Sequence, residues 1–201
     1  MNNPRFAPVA SALRAESVPA FRMAQLLLVL IGARLHESIL DLERLSVIEF
    51  MSANPFLALE EGSPAATELR LQGFGRHSIA YASPGQRFVS RRSRVASDVS
   101  QLIAFGLVRL TTHGGQRVFE VTDLGQEASE RLCSVYADAY RLSVASVIPL
   151  VTRLSAPKMR EQLEIWLRAD PVLFDLIDSP NVEELELELQ KAGITPNDLL
   201  F

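Results

Sequence analysis

The sequence predicts a mainly α-helical chain built on a winged helix-turn-helix, with a two-stranded wing and a C-terminal helical extension. Three observations predict it. Two apolar-periodic segments, residues 17–34 and 41–54, precede an arginine-rich helix that ends at Gly106. Alternating residues on either side of His113-Gly114-Gly115-Gln116 then read as a β-hairpin. Thr122 follows directly and caps a further helix. The order helix, helix, insertion, helix, hairpin, helix is that of a winged helix. It divides the chain into an N-terminal arm (1–16), a winged-helix domain (17–125) with an insertion at 56–89, and a helical C-terminal region (126–201).

Ser17 and Pro19 give an N-cap and first-turn signal for a helix reaching about Arg34. Phe21, Ala24, Leu27, Leu28 and Ile31 form one stripe, and Leu26, Val29 and Leu30 widen it, so burial on most sides is expected. The run Met23–Ala33 lies between Arg22 and Arg34 and is far shorter than the ~20 residues that span a bilayer. Asp41 opens the second helix, with Leu42, Leu45, Ile48, Phe50 and Met51 as its apolar face and Asn54-Pro55 as its stop. Phe56 to Ser90 is rich in glycine and proline and reads as irregular, with a short helix over Ala65–Leu71.

Ser90 is read as the cap of the third helix, whose inward stripe is Val95, Val99, Leu102 and Ile103. Val108 and Leu110 alternate with Arg109 in the first strand, and Phe119 and Val121 with Glu120 in the second. Residues 126–154 read as one long helix kinked at Pro149. Ala156–Arg168, Pro171–Ile177 and Asn181–Ala192 complete the extension, the last with Val182, Leu185 and Leu189 on one side and glutamates on the others. That acidic helix reads either as a solvated face or as a docking element. The terminal PNDLLF is a short apolar motif suited to a partner groove.

Hydrophobic residues make up 48% of the 201, enough for a packed core. A single cysteine, Cys133, excludes an intrachain disulfide and fits a reducing compartment; it is expected as a small core side chain in a helix. The opening MNNPRFAPVASALRAES lacks the lysine-rich start and apolar run of a signal peptide, so a cytoplasmic location without membrane contact is expected. The net charge of −4 is uneven: residues 1–154 hold 16 Lys/Arg against 14 Asp/Glu, and residues 155–201 hold 4 against 10. A duplex-binding domain carries a clear basic excess, because phosphate neutralisation supplies most of its affinity. This body is near neutral and its tail acidic.

The sequence gives little sign of an enzyme, which stands only as a distant third reading. Gly73-Phe74-Gly75 leads into no phosphate-binding pattern, no serine stands in a Gly-x-Ser-x-Gly setting, and no cofactor or small-molecule substrate is expected. His36, His77 and His113 have no carboxylate or cysteine at ligand spacing, so no metal site is expected and each reads as a surface or loop residue.

The arginine cluster stands above this background. Arg87, Arg91, Arg92 and Arg94 crowd the start of the third helix, where the macrodipole favours anions; each misplaced cation costs about a few tenths of a kcal/mol. A carboxylate from another segment, a partner's acidic surface or a phosphate would justify them. Arg92, on the side of Val95 and Val99, is expected to pair with an internal carboxylate or a docked partner; Arg91 and Arg94 are expected to face outward. The outward face also includes Ser97, Asp98 and Gln101, and Asp98 would repel phosphate. Arg109, His113 and Arg117 on the wing are placed to reach backbone phosphates.

At RRSRVASDVSQLIAFGLVRL...RVFEVTDLG the chain resembles the middle component of prokaryotic ABC-three-component systems, over roughly residues 3–150. The matching features are Asn3-Pro4-Arg5, the Asp41-led helix to Phe50, Arg91-Arg92, Gly106-Leu107-Val108 and the hairpin to Val121; the acidic C-terminal region lies outside it. The resemblance implies a non-enzymatic adaptor that sits with an SMC/Rad50-like ABC ATPase and an effector, often a nuclease, as in Lamassu-type anti-phage and anti-plasmid defence. Within such a complex a contact with DNA is open. The alternative is a winged-helix transcription regulator, dimeric through the helices after Val121.

Overall fold

The computed structural model describes residues 15–74 and 83–167. Within them the chain is mainly helical with one small antiparallel sheet, an order of elements compatible with a winged helix. The elements are α1 (Pro19–Leu35), α2 (Leu42–Ala53), α3 (Pro64–Leu71), α4 (Pro84–Ala104), β1 (Val108–His113), β2 (Gln116–Val121), α5 (Asp123–Glu130), α6 (Val135–Thr152) and α7 (Ala156–Leu167). Among these, no helix is long and apolar enough to cross a membrane.

α1 starts at Pro19, as its pre-set φ favours. Its N-cap is Val18, which makes no side-chain cap bond, and Ser17 belongs instead to a short 3-10 turn, Ala15–Ser17. Leu26 to Ile31 are all buried, so α1 runs through the middle of the molecule. α2 is capped as expected: the Asp41 carboxylate accepts from Arg44 N at 2.7 Å. Leu45, Ile48 and Met51 sink fully into the core beside Leu26 and Val29.

The hairpin follows its sequence signals. Val108 pairs with Val121 and His113 with Gln116. Gly114 and Gly115 take φ of 58° and 82°, the left-handed pair that a tight primed turn requires. The Leu40 carbonyl accepts from Phe119 N at 3.2 Å, so the α1–α2 connection adds one bridge along the outer edge of β2.

Two helix boundaries differ from expectation. Residues 84–89, read as the end of an irregular insertion, form the first turns of α4. Residues 126–154 are not one helix: α5 ends at Glu130, and Ser134 caps a fresh helix by accepting from Ala137 N at 3.1 Å. Cys133 falls in that break and is exposed, not a core side chain. Pro149 lies inside α6, whose Tyr140, Val144, Val147 and Val151 pack on α1 and α2. Full burial of a side chain of this size is worth about 1.5–3 kcal/mol, so α6 is as central as α1. α7 joins the same core through Met159, Leu163 and Leu167. The N-terminal arm up to residue 14, the helices expected at Pro171–Ile177 and Asn181–Ala192, and PNDLLF lie outside the described residues.

Candidate functional site

The arginine-rich helix begins seven residues earlier than Ser90. Ser83 Oγ accepts from Gln86 N at 3.2 Å, Gln86 Oε1 accepts from Ser83 N at 3.3 Å, and Pro84 occupies the first turn, a complete capping box. Arg91, Arg92 and Arg94 therefore sit in the second and third turns, beyond the reach of the N-terminal dipole. The dipole penalty expected for them does not arise.

With that start, Arg91, Val95, Asp98 and Leu102 fall on one inward stripe. Arg91 does not face outward. Its side chain is 11% exposed, and its Nε lies 2.7 and 2.8 Å from the two carboxylate oxygens of Glu49, itself 2% exposed. Arg91 Nη2 also reaches Glu49 Oε1 and Gln25 Oε1. Gln25 Nε2 donates to Tyr136 OH at 2.6 Å, and Tyr140 OH donates to the Glu49 backbone carbonyl at 3.2 Å. One polar string thus crosses α4, α2, α1 and α6. Burial pushes the Glu49 carboxyl up and Arg91 pulls against it; burial beside Glu49 pushes the Tyr140 hydroxyl well above 10.

Asp98 is likewise turned inward. Arg22 grips it bidentately, Nε to Oδ2 at 2.6 Å and Nη2 to Oδ1 at 2.8 Å, and Arg22 Nη1 reaches Glu16 O at 3.2 Å. The hydrogen bond to Asp98 raises the Arg22 guanidinium further above its ordinary range. Asp98 is buried and cannot repel phosphate at the surface.

The remaining arginines divide. Arg87 donates to Asn54 Oδ1 at 3.0 Å with its guanidinium 6.0 Å from the Phe50 ring centroid. Arg92 is half-buried, and burial lowers it against the pull of Glu43, but Glu43 bonds Arg160 Nε at 3.0 Å. The inward carboxylate pair expected of Arg92 belongs to Arg91. Arg94 is exposed, as expected. With Asp98 and Arg91 withdrawn, the outer face of α4 carries Ser90, Ser93, Arg94, Ser97 and Gln101, without a carboxylate.

On the wing, Arg109, His113 and Arg117 are exposed. Arg109 lies across from Glu120 and bonds it at 2.8 and 3.0 Å, which holds the Glu120 carboxyl below 4.5. A groove of about 510 Å³ runs between this face and the end of α1, and Arg34, Glu37, Arg109, His113, Glu120 and Asp123 place both signs of charge along it. His36 is exposed at the end of α1, and His77 lies outside the described residues. Among the described residues no group of His, Cys, Asp or Glu is placed to hold a metal ion.

The buried pairs were missed from sequence, yet a signal exists. Glu49 interrupts the apolar face of α2, Arg22 opens the apolar run of α1, and Asp98 follows Arg91 at i+7. Two cations and two anions at core-facing positions of three helices have to find one another. No family model matches the chain, and no curated protein or solved structure matches it either.

Proposed function

We propose that this chain is a non-enzymatic winged-helix adaptor that links an SMC-like ABC ATPase to an effector, a nuclease in the form we favour, in prokaryotic anti-phage or anti-plasmid defence. The observation that carries the reading is the division of the surface. Arg22 and Arg91 are neutralised inside by Asp98 and Glu49, while large apolar side chains at Leu35, Phe105 and Leu124 stand open to solvent. Open apolar side chains on rigid helix ends suit a protein-docking subunit; a duplex-binding domain needs the reverse, with cations outside. The resemblance around Arg91-Arg92 and Gly106-Leu107-Val108 supplies the identity of the partners. The test is affinity purification of the full chain from its native host at moderate salt. A coiled-coil ATPase and a second enzyme in stoichiometric yield are expected; recovery of this chain alone would overturn the reading.

A dimeric winged-helix DNA-binding regulator is the second reading, and one observation favours it. The outer face of α4 holds hydroxyls, an amide and Arg94, groups that can read base edges, and no carboxylate opposes them. Under this reading the purified chain binds a duplex fragment from its own locus, and affinity falls steeply between 50 and 200 mM salt, by about 10³-fold if six phosphates are contacted. Flat, weak binding across that range would remove it.

A further inference from the structure

No further inference is drawn: the strongest candidate, the groove between the wing and the end of α1, sets Arg34, Arg109 and His113 against Glu37, Glu120 and Asp123, and nothing in the structure shows what fills it.

Discussion

Two arginine–carboxylate pairs, each joined by more than one hydrogen bond, stand in opposite settings. Arg91 and Glu49 meet at 2.7 and 2.8 Å with side chains 11% and 2% exposed. Arg109 and Glu120 meet at 2.8 and 3.0 Å with side chains 60% and 47% exposed. What separates them most is environment. The wing pair is bathed in water, where the attraction between ions is largely offset by their hydration. The inner pair has left water behind, and each charge depends on its partner and on Gln25 and the tyrosines around it.

The comparison is broken most severely by removing one inner charge. Glu49→Ala leaves Arg91 buried and unpaired, and about 3–5 kcal/mol of stability should be lost in urea unfolding. A loss below about 1 kcal/mol would mean that Arg91 can escape to solvent and that the pair is not enclosed. Replacing both ends sharpens the point. Glu49→Leu with Arg91→Met removes charge and desolvation together, so this double variant should recover most of what the single variant loses. If it is as unstable as Glu49→Ala alone, the polar string through Gln25 and Tyr136 matters for more than neutralising its own charges.

The wing gives the smallest effect. Arg109→Ala should cost less than about 1 kcal/mol, and raising salt should shrink that difference further. The pair also has a pH signature. The Glu120 carboxyl is held below 4.5 in the folded chain, so its contribution is present above the unfolded value and fades as pH falls through the depressed folded value. Acid titration of the wild type against Glu120→Gln should therefore converge at low pH. Curves that remain parallel would show that Arg109 holds no charged partner.

Much of the framework was legible locally. Asp41 caps α2, Thr122 caps α5, Gly114-Gly115 turns the hairpin, and the run from Leu26 to Ile31 is buried all round. Two local signals were present and misread. Ser83-Pro84-Gly85-Gln86 looks like loop punctuation because of its proline and glycine, yet serine before proline with glutamine at the third position is a helix start. Ser134 is likewise a cap inside what periodicity presents as continuous helix. Starting α4 at Ser90 then misjudged the dipole at its arginines, and their faces were assigned with no view of what packs against them.

By itself, then, the sequence determined where helices start and stop and how the hairpin turns, because caps and primed turns are satisfied by residues a few positions apart. It also determined that a core would form around α1. The inward stripe of α4, Val95, Val99, Leu102 and Ile103, is legible in the sequence and is buried, but that Arg91 and Asp98 belong to it was decided only by tertiary structure. Both share the stripe of Val95 and Leu102, yet on an isolated helix their charges would stay in water. They become interior because Glu49 on α2 and Arg22 on α1, 42 and 76 residues away along the chain, bring the compensating charge. A charge is buried when its partner arrives with it, and only the packing of the helices brings the two together.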